Sequence, residues 1–147
     1  MKVRTILDTK GRHVVTIRPD ASISTAVHRL VLERIGALVV SEDGHKVAGI
    51  ISERDIIQSL AKSGQDLLTS GRRVAELMEH NVITCCTPDD TVQQVMAEMT
   101  RRRVRHLPVI DDGGLVGIIS IGDVVKSRLE EVELEANVLR EAYLVSH

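Results

Sequence analysis

Two stretches of this chain are copies of one another, and that constrains the fold more than any other feature. Pro19-Asp20-Ala21-Ser22-Ile23 returns as Pro88-Asp89-Asp90-Thr91-Val92, an offset of 69 residues. The same offset matches Leu38 with Leu107, Val40 with Val109, and Asp43-Gly44 with Asp112-Gly113. One residue then drops out at the turn. At an offset of 68, Gly49-Ile50-Ile51-Ser52-Glu53-Arg54-Asp55 lies on Gly117-Ile118-Ile119-Ser120-Ile121-Gly122-Asp123, with five of the seven positions identical. A repeat too short to bury its own apolar face implies two units packed around shared core.

Each unit reads as the same order of elements. Val14-Val15-Thr16-Ile17 and Val82-Ile83-Thr84 read as short leading strands. Ser22 or Asp20 can cap a helix whose apolar positions are Ile23, Ala26, Val27, Leu30 and Val31. Thr91 likewise precedes Val92, Val95, Met96 and Met99. A short apolar run follows, Ala37-Leu38-Val39-Val40 or Leu107-Pro108-Val109-Ile110. The turns contain Asp43-Gly44 and Asp112-Gly113, a strong hairpin signal. Val47–Ile51 and Leu115–Ile119 read as return strands, and a second helix starts at Ser52 or Ser120. The fold class is α/β (α+β): tandem β-α-β-β-α motifs packed as a pseudo-twofold pair, with a C-terminal helix. The boundaries read as 1–62 for the first motif with its N-terminal segment, 63–73 for a connector, 74–130 for the second motif and 131–147 for a helical extension.

That extension has its own pattern. From Val125 onward apolar residues fall at 125, 129, 132, 136, 139 and 143, the spacing of a heptad seam. A terminal helix packed on its own domain would give this pattern, and so would a self-association stripe.

Composition narrows the function classes. The chain has 147 residues, with 19 Lys+Arg against 21 Asp+Glu, so no global field draws it to nucleic acid or an anionic membrane. It has no Trp, no Phe and one Tyr, which leaves almost nothing to stack on single-stranded bases. No apolar run approaches a membrane span, and the first residues lack a signal-peptide core. Cys85 and Cys86 are neighbours, point to opposite faces of a strand, and read as reduced thiols of a cytoplasmic protein. No C-x-x-C or other ligand spacing implies a metal, and His13, His28, His45, His80 and His147 read as surface residues.

The motif that closes each copy carries binding chemistry. A Gly near a strand end admits close approach to the backbone. Ser52 and Ser120 stand at helix starts, where free N–H groups favour anions. Asp55 and Asp123 lie one turn on, and a carboxylate there can accept from two vicinal hydroxyls such as a ribose diol. Ser-x-x-Asp is also a simple capping box, so either copy alone has a purely structural reading. Arg101 and Arg102 complement a helix C-terminus, with Glu98 in reach of Arg102.

This double β-α-β-β-α order, with Arg105-His106-Leu107-Pro108-Val109 and twofold Gly-Ile-Ile-Ser-x-x-Asp, resembles the CBS-domain pair, or Bateman module. The likeness covers about residues 1–130, and the layout is similar to small stand-alone bacterial CBS-domain proteins. The resemblance implies a non-enzymatic regulatory sensor for adenosyl ligands: AMP, ADP, ATP, NAD(H), and in some members S-adenosylmethionine. It implies two clefts between the motifs, a homodimer, a regulated partner protein and no catalytic cofactor. Carried over by position, one cleft is lined by Ala21, Ser22, Ala26, Ile35, Gly36, Ala37, Arg105, His106, Ile118, Ser120 and Asp123. The other uses Asp90, Thr91, Val95, Val104, Arg105, Ile50, Ser52 and Asp55, with Arg54 as an added cation. Arg105 and His106 stand where the resemblance places phosphate contacts, and a guanidinium grips phosphate with paired hydrogen bonds.

Two other classes compete. One is a dimeric interaction protein without ligand binding; the other is an RNA-binding subunit using Arg101–Arg105. Ser and Asp are intact in both copies, which argues against the first, and the missing aromatics argue against the second. An enzyme of the kind that carries such modules needs a (β/α)₈ barrel of about 250 residues, for which there is no room.

Overall fold

The computed structural model describes residues 1–78 and 85–146. The expected strand at Val82-Ile83-Thr84, and His80 and His147, lie outside the described residues.

A leading helix, α1 (Val3–Lys10), precedes the first unit. That unit runs β1 (Thr16–Ile17), α2 (Ile23–Glu33), β2 (Ala37–Val40), β3 (Gly49–Ser52) and α3 (Glu53–Ser63). Two short helices, α4 (Asp66–Thr69) and α5 (Val74–Leu77), lead into the second unit. It runs α6 (Val92–Arg102), β4 (His106–Asp111), β5 (Gly114–Ser120) and α7 (Ile121–Ser146).

The pairing repeats along with the sequence. β1 runs parallel to β2, with Ile17 opposite Val40, and β2 is antiparallel to β3, with Ala37 opposite Ser52. In the second unit Cys86 bridges in parallel to Val109, and β4–β5 is antiparallel, with His106 opposite Ser120. Cys86 and Ile17 therefore occupy equivalent places. Cys86 is buried and Cys85 exposed, with no disulfide between them. Asp112 and Gly113 turn the second hairpin with φ of 54° and 78°, the positive values that a two-residue hairpin of this kind requires.

The helix starts follow their caps. Ser22 Oγ accepts from Thr25 N at 3.1 Å, so Ser22 caps α2, while Asp20 pairs with Arg18. Thr91 and Gln94 cap α6 reciprocally, at 3.1 and 2.8 Å. Such caps stabilise a helix by about 1 kcal/mol. Both α2 and α6 end on an arginine in the left-handed region, Arg34 at φ 55° and Arg103 at φ 56°.

Two apolar cores result. One gathers Ile17, Ile23, Ala26, Leu30, Leu38, Val40, Ile51, Ile56, Leu67 and Val74; the other gathers Val3, Ile6, Leu7, Cys86, Val92, Val95, Met99, Leu107, Val109, Ile119 and Val124. Val31, apolar and at helical spacing, is 73% exposed and outside the core. The lead-in helices are exchanged between units. α1 precedes the first motif in sequence, yet Val3, Ile6 and Leu7 fill the second core, and Val3 N donates to Asp90 O at 2.9 Å. α5 precedes the second motif, yet Val74 fills the first core, and its N donates to Ala21 O at 2.9 Å. Residues 1–62 are contiguous in sequence, but their packing crosses to the other unit and locks the pair together.

α7 is the second helix of the second motif, and it continues without interruption into the tail as far as Ser146. Among the described residues no helix is long and apolar enough to cross a membrane.

Candidate functional site

The site is built where the start of β2 meets the start of β4. A Cβ on Gly36 would lie 3.3 Å from His106 Cε1 and 3.3 Å from Glu53 Oε1, a tight fit that would make these side chains give by a few tenths of an ångström. Backbone hydrogen bonds tie the start of each strand to the helix that follows its hairpin. Glu53 N donates to Gly36 O at 2.9 Å, and Ile121 N donates to Arg105 O at 2.8 Å.

Ser120 is the β5 partner of His106, and Asp123 follows one helical turn on. Ser120 N donates to Asp123 Oδ2 at 2.9 Å, and Asp123 N donates to Ser120 Oγ at 3.2 Å. The capping-box reading is therefore realised in full. It engages one carboxylate oxygen, Oδ2, and the same oxygen accepts from Lys10 Nζ at 2.7 Å. Burial pushes the Asp123 carboxyl up, but the Lys10 ammonium and the Ser120 donors outweigh it and hold the group below its ordinary range. His106 is half-buried, and its imidazole is pushed below the ordinary value first by burial, with Lys10 and Arg105 adding to the effect and Glu53 and Asp123 opposing it. At neutral pH His106 therefore offers an uncharged ring with one N–H donor.

Lys10 is the residue that sequence reasoning missed. As the last residue of α1 it reaches across β5, and its Nζ donates to Asp123 Oδ2 at 2.7 Å and to Ile118 O at 2.9 Å. Glu53 was also unexpected, because it falls at a variable position of the repeated motif. The available signal was the alignment of Val3–Leu7 with the lead-in Val74–Met78, which makes α1 part of the repeat.

Other expected site residues have local duties. Ser22 and Thr91 cap helices, and Asp90 Oδ2 accepts from Thr87 N at 2.9 Å. Ala26 is fully buried in the first core, Val95 in the second, and Ala37 is 4% exposed, so none of the three presents a surface to a cleft. Ala21, Ile35, Ile50, Val104 and Ile118 are half-buried, while Arg54 and Arg105 are exposed.

The pseudo-symmetric site is less assembled. Ser52 N donates to Asp55 Oδ2 at 2.8 Å, Ser52 Oγ lies 3.0 Å from the same oxygen, and Asp55 N donates to Ser52 Oγ at 3.3 Å. Among the described residues no hydrogen bond or ion pair joins Asp55 to Val104 or Arg105. Arg101 and Arg102 pair with Glu98, at 2.5 and 3.5 Å, on the solvated face of α6. Among the described residues no cluster of three or more His, Cys, Asp or Glu could hold a metal ion.

Comparison with known proteins agrees with this architecture. A family model described as CBS domain matches residues 3–62 and again 74–130. A CBS-domain containing protein, ATU1752 from Agrobacterium tumefaciens, superimposes with a TM-score of 0.81 at 44% identity, over 87% of this chain and 99% of that one. The CBS domain pair of protein MJ0100, solved with 5′-methylthioadenosine and S-adenosyl-L-methionine, superimposes with a TM-score of 0.72 at 30% identity, over 88% of this chain and 98% of that one. The mitochondrial CBS domain-containing protein CBSX3 of Arabidopsis thaliana is 37% identical over 115 residues, 76% of this chain and 55% of its own length. The match to an inosine-5′-monophosphate dehydrogenase of Methanocaldococcus jannaschii, 28% identical, spans 22% of that enzyme. With two motif matches that together span most of its length, this chain belongs to the CBS-domain family.

Proposed function

We propose that this chain is a non-enzymatic sensor that binds an adenosyl ligand in the cleft lined by Gly36, His106, Ser120 and Asp123. The observation that carries the reading is the Gly36–His106 contact. It puts the half-buried His106 ring against a residue with no side chain, and His106 is itself the strand partner of Ser120 in the repeated Ser-x-x-Asp. Asp123 Oδ1 would take a ribose hydroxyl, and His106 with Arg105 would meet the phosphates of AMP, ADP, ATP or NAD(H). The likeness to MJ0100, which was solved with two adenosyl compounds, supports the ligand class.

The working unit in this reading is a homodimer that passes its ligand state to a regulated protein. Exposed apolar residues on the helices after each hairpin, Ile57 and Leu60 on α3 and Ile121 and Val125 on α7, support it. The Ser52/Asp55 cleft, with Arg54 near its helix start, suits a longer or more highly charged ligand.

Calorimetric titration with AMP, ADP, ATP, NAD(H) and S-adenosylmethionine tests the proposal. Saturable binding of at least one, lost in Asp123→Ala, is the expected result. No heat from any of the five, together with no nucleotide released on denaturing freshly purified protein, overturns it.

A further inference from the structure

From its motif portion into the tail, α7 exposes a seam of Val125 (48%), Leu129 (59%), Val132 (48%) and Leu139 (71%), with Ala136 between them. A shallow groove along its start is lined by Val125, Leu129, Lys126 and Glu133. We propose that a second copy of this chain covers this seam, with the two α7 helices parallel and in register. This goes beyond the motif-helix contact and does not depend on ligand binding.

The charges beside the seam choose the orientation. With Leu129, Ala136 and Tyr143 at a positions and Val125, Val132 and Leu139 at d, the e positions are Lys126, Glu133 and Arg140, and the g positions include Arg128 and Glu135. In a parallel pair each g residue faces the e residue five places on in the partner helix. That sets Arg128 against Glu133 and Glu135 against Arg140, all attractive. The antiparallel pairing of greatest overlap sets 125 against 143, 129 against 139 and 132 against 136. It would put Glu133 against its own copy, Glu135 against its own copy, and Lys126 against Arg140.

The chain alone does not satisfy these charges. Glu133, Glu135 and Arg140 have no residue of opposite charge three or four places away on their own helix. All three are exposed, and no ion pair among the described residues engages them. Arg128 already bridges to Glu131 at 2.8 Å, so Glu135–Arg140 is the pair that most depends on a partner.

Disulfide trapping reads the geometry directly. Leu139 is exposed, so Leu139→Cys in a Cys85→Ser background keeps the fold, and circular dichroism verifies it. Mild oxidation is expected to link Leu139→Cys chains to each other. Failure of that link, or preferential linkage in a mixture of Leu129→Cys and Leu139→Cys chains, overturns the parallel arrangement. Arg140→Glu is expected to weaken self-association about fivefold, the size of two exposed ion pairs, and Glu135→Arg/Arg140→Glu to restore it. No weakening, or no restoration, also overturns it. Valine at the first two d positions suits wider parallel bundles too, so sedimentation equilibrium fixes the number of copies. A monomer, trimer or tetramer overturns the two-copy seam.

Discussion

Lys10 Nζ stands 2.7 Å from Asp123 Oδ2, so α1 sets its terminal cation on the carboxylate that closes the candidate cleft. The same ammonium caps the carbonyl of Ile118, a backbone acceptor on the cleft-lining strand. A sugar hydroxyl arriving at Asp123 Oδ1 therefore meets a carboxylate whose charge Lys10 already partly offsets at Oδ2. Replacing Lys10 by Met removes that offset while keeping most of the length of the stem. Adenosine, which has no phosphate for Lys10 to recover, is expected to bind about two- to fivefold more tightly to Lys10→Met, the range of a partly exposed ion pair. Calorimetry on the variant decides it; weaker binding would place Lys10 among the ligand's contacts instead of against them.

His106 gives the cleft a pH dependence with a definite sign. In the free protein its imidazole lies below the ordinary value, with burial the largest cause. A bound phosphate would raise it by pairing with the imidazolium. Affinity for AMP is then expected to rise as pH falls through the bound-state value, and to stop rising below the free-state value. Titrations of AMP from about pH 8 to about pH 5, the range in which histidine changes charge, should show this slope. Adenosine should not, and His106→Gln should flatten it. AMP carries its own phosphate titration in this range, so the difference between wild type and His106→Gln is the quantity to read.

The two repeated aspartates should differ in their effect on a compact mononucleotide. Asp123 belongs to the site where Gly36 and His106 converge, whereas Asp55 Oδ2 accepts both Ser52 N and Ser52 Oγ. Asp123→Ala is expected to remove most AMP affinity, and Asp55→Ala less. In the wild type, 2′-deoxy-AMP should bind more weakly by about 1.5–3 kcal/mol, the contribution of a hydrogen bond to a charged acceptor. A larger loss in Asp55→Ala would reverse the assignment of the clefts, and equal binding of the deoxy compound would remove the carboxylate from the sugar.

The repeat made the elements of both units legible, because matched residues at one offset must do matched structural work. The caps at Ser22, Thr91 and Ser52 were readable from side-chain chemistry, and so was the Asp112-Gly113 turn. The exchange of α1 and α5 was not, since local patterning says which face of a helix is apolar but not which unit buries it. Arg34 and Arg103 also gave no sign of ending their helices, because the left-handed region is ordinarily reached by glycine. For the candidate cleft, the motif is what singled out Ser120 and Asp123. Lys10 was not, because its role depends on where α1 docks. Val31 fitted the helical stripe and lies outside it, as the edge of a stripe is the part that periodicity defines least.

Gly117 illustrates how a motif glycine can serve the interior as well as a ligand. The sequence suggested that glycine before the strand end admits close approach of a bound molecule. In the structure that room is taken by Leu7, whose Cδ2 would lie 2.6 Å, Cδ1 3.1 Å and Cγ 3.4 Å from a Cβ on Gly117. Leu7 is fully buried in the second core, so it has little freedom to withdraw. Gly117→Ala is therefore expected to destabilise the fold by about 1–3 kcal/mol, the usual range for overpacking. For a domain near this size that lowers Tm by about 2–10 °C. Gly122 is the control: the nearest atom to its Cβ would be Ser120 Oγ at 3.6 Å, an ordinary contact, and Ala is the better helix former by up to about 1 kcal/mol. Gly122→Ala should leave Tm unchanged or raise it. The contact itself is tested by coupling. In a Leu7→Ala background, itself destabilised by cavity formation, Gly117→Ala should cost much less than in the wild type, because the atoms it would strike are gone. Equal costs in the two backgrounds, read from denaturant unfolding, would show that Leu7 is not what confines this position.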